Sequence, residues 1–177
     1  MSRRPRRRKI KFDSEYAVIS CVPDHKGPGY ICKVLGLDSL RLFEAYGKRD
    51  RDPGTIVEKK DLYVYPERRV MLDDAEREIL LNILRDYVKK NERFYLMIVN
   101  YGEMYTKTIH ILELLPGIGR ATRKKIESMR PFQSLDEVKE KLKIDIVDAI
   151  AKRIMKEILG ETDEKVYARR PRTGSQG

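Results

Sequence analysis

The sequence predicts an α+β fold: a small β-barrel followed by an all-helical module. Three observations carry that reading. Residues 14–66 hold four or five short apolar runs with turn residues at each break. From Leu72 onward the apolar period changes to that of a helix. Finally, helix start signals recur beyond that point, at Asp73, Asn91, Ser134 and Asp145.

The strand segments are 15–22, 30–37, 40–48, 56–57 and 62–66. The turns between them are "PDHKGPG", Asp38-Ser39, "RDRDPGT" and Lys59-Lys60-Asp61. A sheet this small leaves its edges bare while open, so closure into an OB-like β-barrel over 14–66 is expected. A helical connector over 67–103 comes next. In it Ala75, Ile79, Ile83 and Tyr87 recur every four residues behind the capping box Asp73–Glu76, and Asn91 opens a second helix that Gly102 ends. A third helix is expected over 106–114, a fourth over 120–129, a short one to Leu142 and a last one over 145–159. That last helix aligns Val147, Ile150 or Ala151, Ile154 and Ile158.

Net charge is +10, and its distribution is more telling than its size. The basic tail 1–13 carries Arg3, Arg4, Arg6, Arg7, Arg8, Lys9 and Lys11 with a single acid, Asp13, at its end. The C-terminal tail 161–177 carries Arg169, Arg170 and Arg172. Between these cations the chain is neutral, with 28 basic and 28 acidic side chains over 12–168. Cationic tails repel themselves into extended chains, and a polyanion is their natural partner because neutralised phosphates release counterions. A solubility or targeting tail is the plainer alternative. The high charged fraction, 37%, suits a heat-adapted protein. No signal peptide or spanning segment is evident, so a soluble cytoplasmic protein without membrane contact is expected. Cys21 and Cys32 then read as a reduced pair, with a disulfide as the alternative.

The segment "LLPGIGRATRKKIESMR" at 114–130 concentrates the chemistry. Pro116 stops the preceding helix, and Gly117 and Gly119 allow close approach to the main chain. Unpaired N–H groups at the start of the next helix favour an anion such as a phosphate diester. Ile118, Thr122, Ile126 and Met129 share the packing face, while Arg120 and Lys124 point away from it and Arg123 sits at its edge. The alternative is an ordinary connection whose glycines merely cap. The second half, 135–158, reads as a degenerate repeat with Lys143-Ile144-Asp145 in place of the glycine turn. Lys152, Arg153 and Lys156 are its weaker contact candidates.

The pattern of an apolar segment, Leu-Pro-Gly-Ile-Gly, a basic helix and then "RPFQSLDEV" resembles a helix-hairpin-helix motif. Such a motif implies backbone phosphate binding with little sequence reading. It departs from the common form in placing Arg123 where a small residue is usual. With the barrel, the connector and "PFQSLDEVKEKL", the segment 15–160 resembles the archaeal domain-of-unknown-function 655 family. That resemblance implies an OB-like barrel, a tandem helix-hairpin-helix domain over 104–160, nucleic-acid binding and no catalysis.

Other sites are weaker. Tyr63 and Tyr65 share one face of a strand and could stack bases, with core filling as the alternative. The 12–66 segment itself carries eight basic against nine acidic residues, which argues against it as the main nucleic-acid surface. Cys21, His25 and Cys32 are one ligand short of a structural zinc, so no metal or other cofactor is expected. Asp145 and Asp148 lie where a hairpin nuclease or glycosylase would place its acid, but helix capping explains them better. The function expected is therefore non-enzymatic RNA binding, with ribosomal RNA as the partner and ribosomal proteins as further contacts. A DNA-binding accessory of repair or recombination and a protein-interaction module are the alternatives.

Overall fold

The structure is a computed structural model, and it describes residues 13–168. The chain divides between Val70 and Met71 into two compact units.

The first unit is one antiparallel sheet of β1 (Glu15–Pro23), β2 (Tyr30–Gly36), β3 (Leu42–Gly47), β4 (Ile56–Glu58) and β5 (Tyr63–Tyr65), in the order β4-β1-β2-β3-β5. The outer strands β4 and β5 each span 3 residues and pair with one neighbour only. The sheet is therefore an open half-barrel, and the expected closed barrel is not formed. With three residues apiece and the 3-10 turn Lys59–Asp61 between them, the edge strands offer few backbone groups for a closing ladder.

One of its faces carries a packed cluster, while Ala17 and Leu35, which pair on the opposite face, and Ile19 are fully buried as well. Tyr16, Val18, Cys32, Val34, Phe43, Ala45, Val57 and Val64 pack together, brought level by the registers Tyr16↔Val57, Val18↔Val34, Val34↔Phe43, Cys32↔Ala45 and Ala45↔Val64. A β-bulge leaves Ile19 unpaired between Val18 and Ser20. Asp13 ties down the strand entry: its carboxylate accepts from the Asp38 and Ser39 amides at 2.8 and 2.5 Å. It occupies the space a side chain at Gly36 would need.

Cys21 and Cys32 face each other directly across β1 and β2 and form a disulfide, correcting the reduced pair expected from the sequence. Two positions eleven apart give no hint of pairing until the hairpin register sets them opposite one another.

The second unit contains α1 (Asp74–Lys90), α2 (Glu92–Tyr101), α3 (Arg120–Met129), α4 (Leu135–Leu142) and α5 (Ile146–Ile158). The Asp73–Glu76 capping box forms in full. At Ser134 the hydroxyl accepts from the Glu137 amide, but the Glu137 carboxylate turns to the Gln133 amide instead of returning to the cap. α1 packs along α5, with Leu80, Leu84 and Val88 on its side and Ile150, Ala151 and Ile154 on the other, all buried. The inward face of α1 is rotated from the expected one, because Ala75 is exposed and Ile79 only half-buried.

The helix expected over 106–114 does not form. Met104 and His110 make an isolated antiparallel bridge, and a 3-10 turn spans Ile111–Leu114. The Thr106 hydroxyl accepts from the Thr108 and Ile109 amides, giving the backbone a local alternative to helix. His110 then caps the 3-10 turn, so no helix can run through it. Without a helix before the glycine turn there is no first helix-hairpin-helix. The helices follow the sheet as one packed group and not as a tandem hairpin domain. That corrects the fold class read from the sequence.

Beyond α5 the chain turns back at Gly160 and folds onto the unit as far as Ala168. Tyr167 is fully buried, its hydroxyl donating to the Ile111 carbonyl at 2.7 Å, and its carbonyl accepts from the Tyr95 hydroxyl at 3.2 Å. Residues 1–12 and 169–177, which hold Arg3, Arg4, Arg6, Arg7, Arg8, Lys9, Lys11, Arg169, Arg170 and Arg172, lie outside the described residues.

Candidate functional site

The glycine turn is held from both sides by buried apolar residues. Leu115 ends the 3-10 turn and is buried, and Ile118 is buried between two exposed glycines. The Ile118 amide donates to the Leu115 carbonyl at 3.1 Å. The two glycines have different causes. Gly117 has φ +79°, which costs a residue with a Cβ about 1–2 kcal/mol, so glycine is required by the turn. Gly119 is the N-cap of α3 with φ −93° and ψ −174°, ordinary extended backbone, and a Cβ there would meet nothing within 4 Å.

Glycine at that position leaves the helix start open. The first bond into α3 is from the Arg123 amide to the Gly119 carbonyl at 2.9 Å. The amides of Gly119, Arg120, Ala121 and Thr122 have no acceptor among the described residues. Within the same chain α1, α4 and α5 each have a side-chain oxygen on their first-turn amides, from Asp73, Ser134 and Asp145, whereas α2 has none, because the Asn91 side chain donates back to the Tyr87 carbonyl and does not cap. In front of α3 lies an open cleft of about 630 Å³, bordered by Met104, Lys107, Thr108, Ile118, Gly119 and Arg120 and by the paired Glu113 and Arg123.

The cations divide into two groups. Arg120, Lys124 and Lys125 are exposed and make no ion pair among the described residues, and Lys107 borders the cleft likewise unpaired. Arg123 differs. Its guanidinium binds Glu113 at 3.3 Å and Glu127 at 3.0 Å and is mostly covered. It ties α3 to the 3-10 turn, which makes it a poor phosphate ligand and explains why a long residue stands where a small one was expected. Met129, placed on the packing face by its spacing, is instead partly exposed, whereas Ile126 is fully buried.

His110 belongs to the same support. It is buried, its Nδ1 accepts from the Leu112 amide at 3.1 Å, and its Nε2 lies 3.0 Å from Glu127. An accepting Nδ1 requires the neutral ring. Burial pulls its pKa below 6.5, and the charges of Arg123 and Arg130 add to that against the opposing pull of Glu127 and Glu113. As pH falls, the unfolded chain protonates this histidine first. The stability it contributes is therefore intact above about 6.5 and is lost as pH falls toward its folded pKa. Denaturant midpoints should be lower at about pH 5 than at about pH 7.5, and His110→Gln should flatten that difference. Glu113, Glu137 and Asp148, all with lowered pKa, act in a separate window below about 4.5.

Arg130 closes the back of the site by donating to the Val99 and Gly102 carbonyls at 2.7 and 2.9 Å, which satisfies the end of α2. Asp145 caps α5, and Asp148 is taken by Arg85 and Lys152 at 2.6 and 2.8 Å. Of the weaker candidates, Arg153 is buried against Glu157 and Lys152 is paired with Asp148.

In the sheet unit, Tyr63 is exposed and Tyr65 half-buried, with rings 5.1 Å apart edge to face. One face of Tyr65 is covered by the Arg68 guanidinium at 3.8 Å, and Arg68 also binds Glu44 at 3.0 Å. Of the two, Tyr63 has the open ring. His25 has no metal partners left, since Cys21 and Cys32 are bonded to each other. No group of three or more metal-ligating side chains occurs among the described residues, and no helix there is long and apolar enough to cross a membrane.

The architecture and the turn can be set beside known proteins. The family described as "Protein of unknown function (DUF655)" matches residues 24–169. The chain belongs to the DUF655 family. A crystal structure of another DUF655 protein, Af1531 from Archaeoglobus fulgidus, superposes with a TM-score of 0.72 at 24% identity, covering 88% of this chain and 99% of that one. The likeness is one of fold. No curated protein matches the chain.

Residues that sequence reasoning missed lie mostly in this unit. Lys107 sits in the 104–110 bridge loop, where the spacing predicts helix. Arg130 and His110 work through partners more than ten residues away or through main chain, and Glu157 adds to its neighbour Arg153 the amides of residues 166–168, which no local pattern marks.

Proposed function

We propose that this protein binds RNA without catalysing a reaction, gripping phosphates through the amides of the Gly119 turn, and that it works in association with ribosomal RNA. The observation that carries the reading is Gly119 itself. Its backbone angles suit any residue and its surroundings have room for one, so the fold gives no reason for glycine there. Serine or aspartate would cap α3 better. What glycine provides is an approachable row of donors at the positive end of a helix. Lys107 and Arg120 border the cleft in front of it, and Lys124 lies a turn further along α3.

RNA is favoured by the remaining charge. Ten of the cations lie in terminal segments attached to a neutral body, the arrangement suited to threading between the helices of a folded RNA. Ribosomal proteins would be met in the same setting.

Cross-linking in cells followed by sequencing of the recovered nucleic acid tests this reading, with ribosomal RNA the expected material. Recovery of DNA in its place would move the assignment to a DNA-binding accessory. In solution, affinity should fall linearly with salt on logarithmic axes. Deleting residues 1–11 should reduce the slope by up to about five, at roughly 0.7 for each phosphate that the removed cations neutralise. An unchanged slope would leave the N-terminal cations as a solubility device.

A further inference from the structure

The sheet unit carries its own cationic pocket, which the near-zero charge of residues 12–66 conceals. It opens at the end of β3 and the start of β5, where Tyr46 and Tyr63 are paired, and encloses about 560 Å³. That volume suits a single nucleotide. Lys48, Arg49, Arg51 and Lys60 line it, with Asp61 as the one carboxylate.

These cations are largely uncompensated. Lys60 lies 3.2 Å from Glu58, both exposed to solvent. Lys48, Arg49 and Arg51 have no carboxylate within ion-pair distance among the described residues. Arg51 is half-buried all the same. Its guanidinium lies against the Gly47 main chain, where a Cβ would come within 2.8 Å of Nη1, and its internal bond is a long one, 3.4 Å to the Arg49 carbonyl. A half-buried guanidinium held on bare backbone without an anion has donors left to offer. Tyr63, 66% exposed, stands at the same opening with a free ring face. The Tyr65 ring meets it edge to face at 5.1 Å.

We infer that this pocket binds one nucleotide of a single-stranded nucleic acid, its base stacked on Tyr63 and its phosphates held by Lys48, Arg49 and Arg51. An aromatic face beside unpaired cations matches the alternation of base and phosphate along a strand. A regular duplex keeps its bases stacked on each other and cannot offer one to Tyr63. The inference shares the ligand class of the proposed function but not its site.

Binding of the full chain to a fluorescently labelled oligouridylate of about ten nucleotides tests it. Tyr63→Ala should weaken binding about 5- to 100-fold, the worth of one stacked base, and Tyr63→Phe should restore it. Lys48→Ala combined with Arg49→Ala should lower the salt slope by about 1.4. Wild-type affinity in Tyr63→Ala, or failure of the wild-type chain to bind the oligomer, overturns the inference. Equal competition by free uridine monophosphate would assign the pocket to a mononucleotide, and equal competition by polyglutamate to an acidic peptide; either overturns the strand. The two sites separate in one series. Loss of binding in Gly119→Asp with none in Tyr63→Ala refutes this pocket alone, and the converse refutes the glycine turn alone.

Discussion

Gly119→Asp is expected to lower RNA affinity at least tenfold while leaving the fold as stable as before or slightly more so. The two effects have one cause. An aspartate at the N-cap would accept from the first-turn amides that are open now, as Asp73 and Asp145 do at the starts of α1 and α5. Replacing a glycine N-cap in this way is worth a few tenths of a kcal/mol, and a negative charge at the positive end of the helix adds a similar amount. The same carboxylate would sit where the proposed phosphate oxygen would bind. Losing one charge-assisted bond, about 1.5–3 kcal/mol, is a factor of ten or more in affinity. Nothing within 4 Å of a Cβ obstructs the side chain, so the variant should fold. Fluorescence anisotropy with an RNA ligand and thermal melting of the same preparation measure both halves. Unchanged affinity would remove the turn from the binding surface, and a loss of affinity together with a loss of stability would point to misfolding. Gly117 is a worse place to ask, because its positive φ makes any substitution costly to the turn.

The largest effect on stability is expected at Glu157, and Glu157→Ala should cost the helical unit about 3–5 kcal/mol. The residue is fully buried in α5. One carboxylate oxygen accepts from the amides of Val166, Tyr167 and Ala168 at 2.6, 2.9 and 3.0 Å, and the other takes Arg153 at 2.8 Å. Removing it strands the buried Arg153 charge and three amides at once. It also releases the segment that holds Tyr167, whose hydroxyl pKa is raised by burial and whose hydroxyl donates to the Ile111 carbonyl at the start of the 3-10 turn leading into the glycines. Denaturant titration should show a lower midpoint for the variant, with early proteolytic loss of residues beyond Gly160. A midpoint shift below about 1 kcal/mol would mean that the carboxylate is not the anchor its hydrogen bonds indicate. Glu157→Gln, which keeps the shape and one acceptor, should fall between wild type and alanine.

The reach of local signals explains what could be read in advance. Asp73, Ser134 and Asp145 cap the helices that follow them because a cap acts within four residues of itself. Strand limits followed the turn residues for the same reason. The interval 106–114 failed because helix and extended turn compete closely there. The competition was decided by the Thr106 hydroxyl and by His110, whose cap depends on a burial that the local sequence does not display. At the candidate site, the glycines and the cations Arg120 and Lys124 were legible as a pattern. The commitment of Arg123 to Glu113 and Glu127 was not, since one partner lies ten residues back in an element assigned differently.

By itself, then, the sequence determined the periodicities, the caps, the bare glycine turn and the gathering of excess charge into the ends of the chain, all properties of residues a few positions apart. Tertiary structure alone decided that the sheet stays open, that two cysteines eleven apart are bonded, and which cations are spent on carboxylates. It also set Lys48, Arg49 and Arg51 around one opening beside Tyr63. Composition averages charges along the chain, whereas electrostatic attraction depends on distance in space, and only folding turns the one into the other.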